Sequence, residues 1–150
     1  MKHYLFKIYK ILPLRWRWFI SYLMSDKFLV GIAAIIVKDK KVLLFKHTYQ
    51  FFWGLPGGYL KIHENFRQSI EREIKEEVGL EVVMKGILDI HKIKNRPAID
   101  IVVFCDVLSG SITIDKEEVE KADFFTLRDI PEDFKRHQPQ HYQLVKSILT

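Results

Sequence analysis

Cysteine is almost absent from this sequence: of 150 residues only Cys105 carries a thiol. An internal disulfide is therefore excluded, no oxidising compartment is implied, and a cytoplasmic location is expected. Cys105 falls in the apolar run IDIVVFCDV, where it reads as a small buried hydrophobe on a strand rather than a catalytic nucleophile. No Cys/His cluster suggests zinc, and no partner is identifiable for His91, His137 or His141. Long apolar runs are lacking too. Arg15 and Arg17 interrupt the N-terminal stretch before it reaches spanning length. No clean apolar core leads into a small-residue cleavage site, so a signal peptide is not expected. Repeats, low-complexity tracts and long linkers are missing, which points to one domain large enough to bury a sizeable core. With 48% hydrophobic and 29% charged residues, the composition excludes a disordered chain.

The charge is unevenly placed. Residues 1–28 hold six of the 24 Lys and Arg but one of the 19 acids, leaving 18 of each sign in residues 29–150. The body is neutral, so the net charge of +5 describes the N-terminal segment rather than the ligand of the core domain. That segment, MKHYLFKIYKILPLRWRWFISYLMSDKF, reads as a short amphipathic helix before Pro13 and a second after it. It forms an extension (1–28) to a main domain (29–150). Three roles are open to residues 1–24: packing on the domain or on a second subunit, which makes a homodimer plausible; binding an anionic membrane surface; and contacting RNA or a nucleotide phosphate chain.

FLVGIAAIIVKDKKVLLFKH reads as two β-branched strands joined by the polar turn Asp39-Lys40-Lys41. TYQFFWGLPGGYL is a loop punctuated by Pro56-Gly57-Gly58. A helix follows, with Asn65 at the N-cap, Gln68 in capping-box spacing, and Gly79 placed to close the C-terminus. Strands are expected over 80–93 and 98–108 around a KNRP turn, then in SITI and ADFFTL. RDIPEDF gives a turn with a short helix, and QHYQLVKSIL a C-terminal helix. The class is α/β with one central sheet.

The helix is chemically unusual. Like charges at i,i+3 and i,i+4 cost about 0.2–0.5 kcal/mol per pair, yet Glu71, Glu73, Glu76 and Glu77 crowd together. At about 100° per residue, Phe66, Ile70, Ile74 and Val78 form the buried stripe, and Glu73, Glu76 and Glu77 lie along its edge. Arg67, Gln68, Glu71 and Lys75 occupy the outer face, where Glu71 is expected to pair with Lys75. Arg72 reaches Glu76, but one guanidinium cannot neutralise three partly desolvated carboxylates. All-oxygen donors suit a hard divalent cation, Mg²⁺ or Mn²⁺, shared with substrate phosphates. A solvated acidic face is the other reading at this point.

The stretch resembles the signature of the Nudix hydrolases, G-x5-E-x7-R-E-U-x-E-E-x-G-U, where U is a bulky aliphatic residue. Here it reads Gly58, Glu64, Arg72-Glu73-Ile74, Glu76-Glu77, Gly79 and Leu80, with every specified position matched. The lead-in WGLPGG and the later EEVEKADFFTLRDIP are also similar to the family, so the resemblance covers about residues 29–135. It implies an α/β/α sandwich with a mixed sheet and a loop-helix-loop metal site. It also implies hydrolysis of a nucleoside diphosphate linked to another moiety, with Mg²⁺ or Mn²⁺ as cofactor. By that resemblance Glu73, Glu76 and Glu77 ligate metal, with Gly58 at the site. Glu64 assists as a ligand or by holding a water of the metal's shell, and Arg72 orients the glutamates. The general base comes from the signature helix, with Glu76 and Glu73 as catalytic candidates, or from Glu117, Glu118 or Glu120, of which Glu118 is preferred.

Substrate choice lies outside the signature. Lys46 and His47 end a strand before the loop, where the family often carries basic residues that meet phosphate. Phe51, Phe52 and Trp53 offer a stacking face for a base or pack the loop on the sheet. His63 is expected to be a solvated loop residue. Pro97 follows Leu80 after 16 intervening residues, a spacing that resembles the ADP-ribose-type subgroup. The resemblance thus favours ADP-ribose or a nucleotide sugar. An RNA 5′-end pyrophosphohydrolase and a non-catalytic nucleotide-sensing module are the alternatives.

Overall fold

The computed structural model describes residues 9–150. Its elements are α1 (Leu14–Met24), β1 (Leu29–Lys38), β2 (Lys41–His47), β3 (Gly57–Tyr59), α2 (Phe66–Val78), β4 (Glu81–Lys92), β5 (Ala98–Ser109), β6 (Val119–Phe125), α3 (Glu132–His137) and α4 (Pro139–Leu149). The sheet is mixed, in the order β4-β5-β1-β2-β6, with short β3 also paired to β1. β1 and β5 run parallel, and every other pairing is antiparallel.

The alternation of β1 explains the layers. Ile32, Ala34 and Ile36 face one side, where Ile70, Ile74 and Val78 of α2 pack on them. Ala33 and Ile35 face the other, against Phe134 of α3 and Val145 of α4. A strand carries side chains alternately to its two faces, so a strand apolar on both faces needs cover on both. This is the expected α/β/α sandwich. Complete burial of Ile70, Ile74 and Val78 contributes about 1.5–3 kcal/mol each and seats α2 on the sheet. Cys105 is buried in the same layer, and that burial pushes its thiol up to about 12, as expected of a core hydrophobe.

Most expected elements are present with small shifts of boundary. Asp39 and Lys40 have φ of 51° and 57°, the backbone of a two-residue hairpin turn, and Asn95 (φ 62°) reverses the chain between β4 and β5. SITI is a correction. Ser111–Ile114 is not a strand, because its backbone is engaged elsewhere: Thr113 N donates to Val78 O at 2.9 Å and Asp115 N to Glu77 O at 3.0 Å. The segment satisfies the open carbonyls at the end of α2. The helix expected after Pro13 is α1, none of whose residues is buried. Most of the helix expected before Pro13 lies outside the described residues.

Candidate metal and active site

α2 starts and stops where its sequence dictates. Asn65 accepts from Gln68 N, and the Gln68 side chain accepts from Asn65 N, both at 3.0 Å, a reciprocal capping box. Gly79 closes the helix in the left-handed region at φ 71°, where glycine carries no Cβ penalty. Both ends being fixed, the glutamates have a fixed rotation about the helix axis.

Arg72 gathers three of them. Its Nε donates to Glu64 Oε1 at 2.6 Å and its Nη2 to Glu64 Oε2 at 3.0 Å. Nη2 also lies 2.8 Å from Glu73 Oε1, and Nη1 donates to Glu76 Oε2 at 2.8 Å. The bidentate hold on Glu64 keeps that carboxyl below the usual range and raises the guanidinium further. Arg72 thus orients the loop acid and two helix acids together. Glu71 takes a different partner from the one expected. It pairs with Arg67 at 3.5 Å and accepts from Met84 N at 3.2 Å, while Lys75 reaches across to Glu81 at 2.8 Å. β4, alongside α2, supplies Glu81 to Lys75 and the Met84 amide to Glu71, whose charge is met by Arg67 on the same helix.

Glu77 is the exception to the arginine's reach. It is 2% exposed, and its Oε2 has no hydrogen-bond partner. Burial, then the charges of Glu73 and Glu118, push its carboxyl up to about 8. The nearest imidazole gives no compensation: His47 Nδ1 stands 3.9 Å from Glu77 Oε1, and burial lowers the pKa of His47, leaving it neutral at pH 7. An unpaired buried carboxylate is costly. The loop before α2 is shaped around the same acids. A Cβ on Gly58 would lie 2.7 Å from the Glu73 carboxyl carbon, and one on Gly57 (φ 151°) 2.0 Å from Ile32 O. The residues present therefore fit a hard divalent cation. The donors are all oxygen, one buried oxygen has no partner, and the glycine loop leaves room for the carboxylates.

These residues line one open cleft. Glu73, Glu76 and Glu77 of α2 line it together with Glu117, Glu118 and Gly57–Lys61. Glu117 and Glu118 are brought there because Thr48 Oγ1 donates to Glu117 O and Thr48 N to Glu118 O, both at 3.0 Å. Glu120 faces elsewhere, paired with Lys46 at 3.1 Å. Lys46 is thereby occupied and does not line the cleft. His47 is buried, stacked under Tyr49 at 4.6 Å. Trp53 packs edge-on against Phe125, the loop-packing role, while Phe52 stacks on His137 at 4.7 Å. Phe51 and His63 are exposed.

Sequence reasoning missed Tyr49, Tyr59 and Lys61 as cleft residues. Only Lys61, three residues before Glu64 in the signature loop, carried a signal that identifies it beforehand. It also missed a second group. His91, Asp100 and His141 converge from β4, β5 and α4, with one candidate ligand atom from each within 4.8 Å of the others. The expectation that these histidines lack partners is overturned by the β4–β5 register.

The geometry agrees with the comparisons to known proteins. The NUDIX domain model matches residues 27–148, and the chain belongs to that family. The match extends beyond the span read from the signature because α4 is part of the sandwich. An ADP-ribose pyrophosphatase of Methanocaldococcus jannaschii is 35% identical over 109 residues, covering 68% of this chain and 64% of that protein. This chain therefore spans somewhat less than two thirds of that relative's length. Among solved structures, an ADP-ribose pyrophosphatase from Streptococcus suis superposes with a TM-score of 0.69 at 26% identity, over 81% of this chain and 92% of that one. A UDP-X diphosphatase superposes with a TM-score of 0.68 at 21% identity, over 91% and 72%, which shows a shared fold.

Proposed function

We propose that this chain is a divalent-metal-dependent pyrophosphohydrolase that cleaves a nucleoside diphosphate linked to another moiety, with ADP-ribose or a nucleotide sugar favoured. One observation carries the reading. Glu77 is buried with an unpartnered oxygen beside Glu73 and Glu118, an arrangement whose cost makes sense when a cation completes it. The names of the two ADP-ribose pyrophosphatase relatives and the position of Pro97 support the substrate preference.

In this reading Glu73, Glu76 and Glu77 hold Mg²⁺ or Mn²⁺, with Gly58 and Glu64 at the edge of the site. When bound, such an ion supplies neutralisation of the diphosphate charge and acidification of water. The chain does the rest. Arg72 holds Glu64, Glu73 and Glu76 in place before substrate arrives. Lys61 offers a positive charge at the mouth of the cleft. Glu118, which lines the same cleft, accepts the proton of the attacking water, a general-base role that contributes about 10²–10⁴-fold. A second reading, removal of a 5′-diphosphate or a cap from RNA, is supported by the exposed Arg15, Trp16 and Trp18 of α1, which combine charge for a backbone with faces for base stacking.

The test is a substrate panel with Mg²⁺ or Mn²⁺: ADP-ribose, nucleotide sugars, CDP-alcohols, dinucleoside polyphosphates, nucleoside triphosphates and 5′-triphosphate RNA. AMP and ribose 5-phosphate from ADP-ribose, or the matching pair from a nucleotide sugar, is the expected result. Preference for RNA would transfer the assignment to the second reading. Binding of nucleotides without turnover of any substrate would make the chain a nucleotide-sensing module.

A further inference from the structure

The group outside the glutamate cleft has the geometry of a metal site of its own. Strand register places His91 on β4 directly opposite Asp100 on β5, and Asp100 beside Gly31 on β1. A Cβ on Gly31 would stand 3.3 Å from Asp100 Oδ1, so glycine there leaves the carboxylate its space. The first turn of α4 adds His141, whose Nε2 lies 2.9 Å from Asp100 Oδ2, with His91 Nε2 at 3.9 Å from the same oxygen.

An oxygen also stands behind each ring. His91 Nδ1 lies 2.9 Å from Asp89 Oδ2, and His141 Nδ1 lies 2.7 Å from Gln138 Oε1. With an oxygen behind each Nδ1, both rings present their Nε2 edge to Asp100. In the metal-free chain His141 Nε2 and Asp100 Oδ2 share a hydrogen bond at 2.9 Å, so a bound ion would take the place of that proton. A carboxylate or carbonyl behind each imidazole is the outer arrangement that metal-ligating histidines use.

We propose that His91, Asp100 and His141 bind a first-row divalent transition-metal ion of the Zn²⁺ type, separate from the hard ion of the glutamate site. Imidazole donors select such ions over Mg²⁺. Three protein ligands leave a coordination position open, and Asp100 and His141 border a cleft that also reaches Gly57 and Gly58.

The experiment titrates the intact chain with Co²⁺ in excess Mg²⁺, which occupies oxygen-only sites, and follows the visible d–d bands that nitrogen-ligated Co²⁺ gives. The expected result is saturation at one ion per chain, displacement by Zn²⁺, and loss of the bands in His91→Gln and His141→Gln. Asp89→Asn, at a half-exposed side chain, keeps the fold and is expected to weaken binding about 10- to 100-fold. Two results would overturn the proposal. One is no band from the folded wild-type chain. The other is a band unchanged in Asp89→Asn and in whichever histidine variants retain the wild-type circular dichroism.

Discussion

At the scale of the residue, Glu77 concentrates the argument. Its folded-state pKa of about 8 lies above the ordinary carboxylate value, so the metal-free fold binds a proton that the unfolded chain has released. The stability this contributes is complete below about pH 4.5 and is lost as pH rises through about 8, with a slope of at most about 1.4 kcal/mol per pH unit. Melting of the metal-free protein is expected to fall across that window by more than in Glu77→Gln. Added Mn²⁺ should recover more stability at pH 8.5 than at pH 5.5. Equal pH dependence in both proteins would mean that Glu77 is not the titrating group. The base is addressed separately: Glu118→Gln is expected to lower kcat about 10²–10⁴-fold with little change in melting temperature. The corresponding variant at Glu120, already held by Lys46, should stay near wild type.

At the scale of the element, α2 is both core and site. Asn65→Ala removes half of the capping box and is expected to cost about 1 kcal/mol, a melting shift of about 2–4 °C, measured by calorimetry. Ile74→Ala, at a fully buried position, should cost about 2–5 kcal/mol. This helix was legible in the sequence because every local signal agreed: cap, apolar stripe, terminal glycine and signature spacing. β1 was legible for the same reason. What was not legible depended on tertiary neighbours. The bond from Met84 N to Glu71 required β4 to be in place. SITI has β-branched residues and still forms no strand, because the carbonyls ending α2 compete for its amides. The His91–Asp100–His141 group spans 51 positions of sequence and is assembled by strand register, which no local spacing encodes.

At the scale of the whole molecule, the segment before the sandwich differs from it in charge, no residue of α1 is buried, and we propose that segment and sandwich are separable in function. Deleting residues 1–26 is expected to leave the cooperative melting and the turnover of mononucleotide substrates within about twofold of the full chain. If the segment grips RNA or an anionic membrane surface, the same deletion selectively weakens RNA turnover or abolishes co-sedimentation with anionic vesicles. Equal loss on every substrate would assign α1 to the fold instead. The central claim, that the crowded acids of α2 hold a cation for diphosphate hydrolysis, is tested most directly by kcat/KM for ADP-ribose in wild type, Glu76→Gln and Glu77→Gln, with Mn²⁺ and with chelator. The account predicts turnover that requires the ion and falls by at least about 10²-fold in each variant while the fold is retained. Turnover that survives chelation, or that is unchanged in both variants, would contradict it.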